Sequence, residues 1–312
     1  MELNFPIGDW VEAVVEWLLA NATPVFDSIS VFVGSIVTGV ESALLAVPSW
    51  LVCLIVAAIA LWRLGWKFAL FTVLSLVLVL GMGLWKPTMS SLALVLSSTL
   101  VSLAIGIPLG VWAARNSVVE SVLRPVLDLM QTFPPFVYLI PAAMFFGLGK
   151  VPGAIATIIF SMPPAVRLTC LGIRQVPKEI VEAGLAFGCT DRQLLFRVQL
   201  PNALPSIMAG VNQTIMLSLS MVVIASMIGA GGLGNEVLTG IQRLDIGLGF
   251  EGGLGVVILA VLLDRITQSF GTRRKSHFGL LDLGSLFRRD GGKAPGKGVV
   301  QDLPLPRKAA GK

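Results

Sequence analysis

Ionisable side chains are scarce in this chain. Asp, Glu, Lys and Arg make up 13% of its 312 residues, against roughly 25% in soluble domains, which excludes an ordinary water-soluble fold. His277 is the sole histidine, so neither a histidine-rich metal site nor a Ser-His-Asp system is supported, and no metal site is assigned. Cys53, Cys170 and Cys189 are odd in number and far apart, which argues against a disulfide framework and against a Cys-x-x-Cys site. No Lys or Arg precedes Arg63, so the first 47 residues lack the positive start of a secretory signal. The tail spells Gly291-Gly292-Lys293-Ala294-Pro295-Gly296-Lys297-Gly298. That run imitates a phosphate-binding loop but ends in Gly where Ser or Thr must reach Mg²⁺, with no strand before it and no helix after. No ATP site is legible, and any fuel must come from a partner.

What is present is apolar. Hydrophobic residues reach 55% and the mean hydropathy is +0.85. Backbone polar groups in hydrocarbon must pair within their own segment, so long apolar runs of this kind predict an all-α, polytopic membrane bundle. The pI near 9.4 reflects basic residues at span boundaries rather than a nucleic-acid surface. Apolar windows predict about seven transmembrane helices, at roughly 48–62, 68–85, 91–112, 130–148, 152–168, 207–229 and 252–270. Pro134, Pro135, Pro141, Pro152, Pro163 and Pro164 interrupt the fourth and fifth. Kinked helices suit a translocation pathway but also occur in ordinary bundles.

Orientation follows from Lys and Arg placement. Arg63 and Lys67, Arg115 and Arg124, the basic residues of 167–206, and Arg273, Arg274 and Lys275 fall on one side of seven crossings; Lys86, Lys150 and Arg243 fall on the other. The amino terminus is therefore expected outside, and the carboxyl terminus and the 167–206 loop in the cytoplasm. Residues 1–47 read as two amphipathic helices outside the membrane. One begins at Asp9-Trp10-Val11-Glu12 and the second opens at Pro24; they lie on the outer leaflet, brace the bundle, or form a soluble tail. Residues 48–85 read as accessory spans, 86–272 as the main transmembrane domain, and 273–312 as a basic cytoplasmic tail, largely disordered.

One polar stretch stands apart. Pro177 suits the start of a short helix over 178–187, Gly188 permits a turn, and Thr190-Asp191-Arg192-Gln193 has the spacing of a capping box for a second helix that stops before Pro201. Leu194, Leu195 and Val198 give that helix an apolar edge. Two helices about a small-residue elbow make a knob that fits a groove in a partner, with Glu182 offering a carboxylate.

Glu182, Ala183, Gly184, Gly188, Val198, Leu200 and Pro201 resemble the E-A-A-x3-G-x9-I-x-L-P loop of ABC-importer permease subunits. Gly184 replaces the second Ala and Val198 the usual Ile. Residues 131–177 and 209–268 look like the permeases of glycine betaine/proline betaine importers. The resemblance implies a type I permease fold, a loop that inserts into a cytoplasmic ATPase holding ATP and Mg²⁺, an extracytoplasmic binding protein, a second permease copy, no cofactor on this chain, and residence in a bacterial inner membrane. It also implies a quaternary ammonium cargo, with choline, carnitine or another small solute as alternatives.

A quaternary ammonium is recognised by aromatic faces. Phe133, Phe136 and Tyr138 beside the broken fourth span are the residues available for a weak path; core or lipid contact is the competing reading, and Trp50, Trp62, Trp66, Trp85 and Trp112 fit interfacial belts. The outer loop 230–251 is the expected binding-protein contact. An ion-coupled transporter would need midplane carboxylates or inverted repeats. Only Asp264 with Arg265 falls inside a predicted span, where the two are expected to neutralise each other or snorkel. Gly106-x3-Gly110 and Gly249-x3-Gly253 permit close packing, but with 33 glycines such pairs arise by chance.

Overall fold

The computed structural model describes residues 7–271; the expected basic tail, 273–312, lies outside them. Described residues form helices throughout, with no strand. α1 (Ile7–Ala46) is followed by α2 (Ser49–Leu64), α3 (Trp66–Gly81), α4 (Trp85–Arg115), α5 (Ser117–Thr132), α6 (Pro135–Phe146) and α7 (Lys150–Arg174). Then come α8 (Lys178–Ala186), the single turn α9 (Asp191–Gln193), a wider π-helical turn (Leu194–Gln199), α10 (Leu200–Ser226), α11 (Leu233–Arg243) and α12 (Ile246–Gly271).

α7 is the axis of the bundle, and α4 and α10 meet it at backbone distance. A Cβ on Gly106 would lie 2.9 Å from Ala165 Cβ, and one on Gly110 would lie 2.6 Å from the Val166 carbonyl oxygen. On the other side, a Cβ on Gly172 would lie 2.7 Å from Ser206 Cβ, and one on Gly210 would lie 3.2 Å from the Pro164 carbonyl. The Gly106-x3-Gly110 pair is therefore no accident of composition: it is the groove that seats α7. In Gly249-x3-Gly253, by contrast, Gly253 has open space, and the close approach of α11 to α12 uses Gly240 against Gly249. Lipid gives packed helices no hydrophobic advantage over separated ones, so small residues and buried hydroxyls must supply the attraction. Ser102 Oγ donates to the Ile158 carbonyl (3.2 Å) and Thr99 Oγ1 to Ser218 Oγ (3.2 Å), all buried.

These contacts fix directions. α4 and α7 run parallel, and α10 runs against both. From residue 49, α2, α3, α4, the α5–α6 pair, α7, α10 and α12 stand at the seven apolar windows. Among the described residues, five helices are long and apolar enough to cross a membrane, or six with the bent α5–α6 pair counted as one. α2 and α3, at 16 residues each, are shorter than the ~20 of a full crossing. The fourth window is not one rod: α5 and α6 meet at 98°, at Phe133-Pro134. Basic residues segregate as expected. Arg63 at the end of α2 donates to the Ser269 carbonyl at the end of α12 (2.6 Å), and Arg115 and Arg174 end α4 and α7, whereas Lys86 and Lys150 stand at the starts of those two helices.

The amino-terminal region differs from expectation. It is one 40-residue helix with Pro24 inside it: the proline removes one bond, to the Ala20 carbonyl, and the helix runs on through it. Asn21 Nδ2 and Thr23 Oγ1 donate to the Trp17 and Leu19 carbonyls in the turn before the proline. α1 braces the end opposite Arg63: Phe26 stacks on Phe145 at 4.5 Å, and Lys150 pairs with Glu41 at 2.6 Å. Asp264 does not pair with Arg265; its carboxylate accepts from Gln268 Nε2 (2.6 Å).

Gly110→Val should overpack the α4–α7 seam and destabilise the protein by about 2 kcal/mol, read as a lower thermal midpoint in detergent. Gly253→Ala, inside α12 with open space for a methyl group, should leave that midpoint level or raise it slightly, since Ala favours a helix over Gly by up to about 1 kcal/mol.

Candidate functional site: the helical elbow and the broken span

The elbow forms where the polar stretch predicted it, by local rules. Pro177 precedes α8, its carbonyl accepting from Ile180 N (3.1 Å). α8 ends on Gly188 at φ +77, with Cys189 N donating back to the Gly184 carbonyl (3.1 Å). That closure requires a left-handed residue, which costs a non-glycine about 1–2 kcal/mol. Thr190 then caps the second helix: its amide donates to Gln193 Oε1 (2.9 Å), and Gln193 N donates to Thr190 Oγ1 (3.4 Å).

The second helix does not stop before Pro201. It widens into the π-helical turn at Leu194–Gln199 and continues as α10. Proline cannot donate to the turn before it; the wide turn absorbs that defect, with Leu200 N reaching the Leu195 carbonyl five residues back. Leu195 packs in a buried cluster with Ile173, Ala203 and Ile207, against which half-buried Leu200 rests.

The seven loop residues are brought together unevenly. Gly184 faces the second helix, where a Cβ would lie 2.9 Å from Leu194 Cδ1 and 3.6 Å from Val198 Cγ2. Glu182, Ala183 and Gly188 are exposed. Among the described residues Glu182 makes no ion pair. It lines a cleft of about 380 Å³ with Arg115, Arg174, Lys178 and Asp191. Sequence reasoning used those arginines as topology markers and missed what they hold. Arg115 pairs with Asp191 at 3.8 Å. Arg174 donates to the Ala113 carbonyl (3.0 Å) at the end of α4 and pairs with Glu120, which also takes Arg124 at 3.1 Å. Also missed was Phe187, 90% exposed at the elbow, where Leu185 and Phe196 are exposed as well. An aromatic held in water by a glycine turn is the kind of anchor that a partner's groove buries.

Phe133 and Tyr138 meet edge-to-face across the α5–α6 break, with centroids 6.4 Å apart. Tyr138 Oη donates to the Leu129 carbonyl (3.3 Å), which also accepts from Phe133 N (3.2 Å) at the end of α5. Exposed Phe136 stands outside this pair.

A membrane bundle that presents a capped helical elbow at one end, continuous with a spanning helix, defines the membrane subunit of a transport system. Residues 106–276 match the binding-protein-dependent transport system inner membrane component family, and the chain belongs to it as a multi-pass membrane component. It is 50% identical over 272 residues (87% of this chain, 77% of the relative) to the glycine betaine/proline betaine transport system permease protein ProW of Escherichia coli (strain K12). It is 46% identical over 273 residues (88% and 97%) to the glycine betaine transport system permease protein OpuAB of Bacillus subtilis (strain 168). Among solved structures, an inward facing form of the MetNI methionine ABC transporter aligns with a TM-score of 0.53 at 22% identity, over 59% of this chain and 94% of that one. This likeness is one of fold.

Thr190→Ala removes one half of the cap and should cost about 1 kcal/mol locally. Hydrogen exchange at the amides of 191–196 should then accelerate about fivefold.

Proposed function

We propose that this chain is the membrane-spanning subunit of an ATP-driven, binding-protein-dependent importer of glycine betaine, proline betaine or a related quaternary ammonium osmolyte. The observation that carries the reading is 50% identity to a glycine betaine/proline betaine permease across 87% of the chain. A relative named for choline transport is 30% identical over 60% of the chain, which makes choline the second choice; carnitine stands nearer, since a glycine betaine/carnitine permease is 48% identical over 88% of the chain.

In this reading Glu182, Ala183, Gly184, Gly188, Val198, Leu200 and Pro201 form the coupling element. The elbow enters a groove on a separate cytoplasmic ATPase that binds ATP and Mg²⁺, with Phe187 as the buried anchor. Continuity of the second elbow helix with α10 supports a direct lever: closure of the ATPase pair moves the elbow, and the elbow moves a spanning helix. A loaded extracytoplasmic binding protein docks at the opposite end, where 230–251 and α1 lie, and two permease copies enclose the route. The amino terminus is then extracytoplasmic and the carboxyl terminus cytoplasmic, in accord with the basic residues that gather at the elbow end. Phe133 and Tyr138 offer ring faces to the cation.

Gly188→Asp should abolish both uptake and stimulated ATP hydrolysis in vesicles containing ATPase and binding protein, while membrane insertion stays normal. Full uptake by that variant would overturn the coupling role. Titration of the cognate binding protein with glycine betaine, proline betaine, choline and carnitine should give the tightest binding with a betaine.

A further inference from the structure

α10 carries a polar face at a depth where lipid cannot accept one. Gly210 abuts the Pro164 carbonyl near the middle of α7, so Gln213, under one turn further along, lies roughly 18 Å from either end of α7 at 1.5 Å per residue. Gln213 is exposed, in line with exposed Ala209, Met216 and Ser220. Ser220 satisfies itself by donating to the Met216 carbonyl (3.0 Å). The Gln213 amide has no partner among the described residues, and the Oδ1 of neighbouring Asn212 is buried without one.

The outward faces of α3 and α4 contrast with this. Their exposed side chains at membrane depth, such as Leu74, Val77, Leu96 and Leu100, are apolar. An unpaired amide in hydrocarbon costs several kcal/mol, so the Gln213 face meets water or protein.

A second observation falls at the same depth. Asp128 pairs with Arg167, and Tyr138 packs by Phe160, which sets the α5–α6 break alongside the Pro163-Pro164 level of α7. Phe133 and Pro134 at that break are exposed. Irregular backbone at such depth is tolerated where it is buried in protein or lines a wet cavity, and here it is not buried.

We propose that the α10 face of Gln213 and Ser220, with the α5–α6 break, lines the water-filled route at mid-depth, and that Gln213 is the polar contact for the cargo there. This rests on the importer reading and adds a residue to it. A betaine is a zwitterion: the Gln213 amide N–H donates to its carboxylate, while the Phe133–Tyr138 rings face its trimethylammonium group. A neutral amide holds a zwitterion weakly, so the cargo is guided without being trapped.

The test uses the full complex of permease, ATPase and binding protein in vesicles, with Gln213→Cys, Ser220→Cys and, as an apolar-face control, Leu100→Cys. The probe is a membrane-impermeant methanethiosulfonate bearing a trimethylammonium group, and labelling is counted above the wild-type blank. Gln213→Cys and Ser220→Cys should label in the nucleotide-free or the nucleotide-trapped state, more slowly under saturating glycine betaine; Leu100→Cys should not label. Gln213→Leu should retain stimulated ATP hydrolysis while kcat/KM for glycine betaine uptake falls about tenfold, the scale of one lost hydrogen bond to a charged group. Absence of labelling at both 213 and 220 in every state overturns the proposal, as does cysteine cross-linking of two copies at 213 without labelling. A wild-type complex that imports no quaternary ammonium sinks the importer reading instead, while the labelling still reports whether the face is wet.

Discussion

The architecture depends on the backbone-to-backbone approach of α4 and α10 to α7. In a bilayer, helices gain nothing from hiding apolar surface from one another, so they associate where small residues admit close contact and hydroxyls find partners across the seam. Gly106 and Gly110 on α4, Gly172 on α7 and Gly210 on α10 supply the first condition. Ser98, Thr99, Ser102, Ser161 and Ser218, all buried, supply the second. Once these contacts lock, the axial register of the three helices is set, and with it the depth of every other feature. Arg174 can cap the open carbonyls at the end of α4 because α4 and α7 run parallel and end together.

The same register explains why the elbow is not a separate module. A loop between two spans could hang from flexible tethers, but this one shares its second helix with α10 through the π-helical turn. Leu195 and Ala203, on either side of Pro201, are buried in one cluster with Ile173 of α7. A displacement of the elbow is therefore delivered along α10, past Gly210, to the level of the α5–α6 break. The wide turn is the accommodation for a proline one residue inside α10, and such turns recur at functional sites because they tolerate local change without breaking the helix.

Much of this was legible beforehand wherever the determinant is local. Gly188 with the Thr190–Gln193 cap defines the elbow within a handful of residues, and the alternation of basic clusters with apolar windows defines the passes. Readings failed where the deciding partner lies on another helix or where a punctuating residue was taken at face value. Gly106-x3-Gly110 differs from Gly249-x3-Gly253 only through what faces each, Ala165 and Thr169 in one case and open space at Gly253 in the other. Pro24 and Pro201 read as breaks, yet the helix runs through the first at the loss of one bond and a widened turn absorbs the second. Arg115 and Arg174 were legible as charge but not as ties, since Asp191 and Glu120 reach them only in three dimensions.

The strength of those ties separates what holds the elbow from what can let it move. Arg115–Asp191 spans 3.8 Å with side chains 43% and 84% exposed, the kind of pair that contributes about 0–1 kcal/mol. It links the elbow to α4. The buried apolar cluster around Leu195 ties the elbow to α7 and α10 and also takes Ile107, Val111 and Ala114 of α4; there a single leucine contributes roughly 2 kcal/mol or more when shielded from water. Force on the elbow thus meets a weak restraint at the Arg115–Asp191 pair and a stiff one at the apolar cluster that joins its base to α4, α7 and α10. The inequality has a directional consequence: the elbow yields first at its tip near Asp191 while its base at Leu195 holds, and because that base is one helix with α10, the spanning helix that bears Gln213 moves with it.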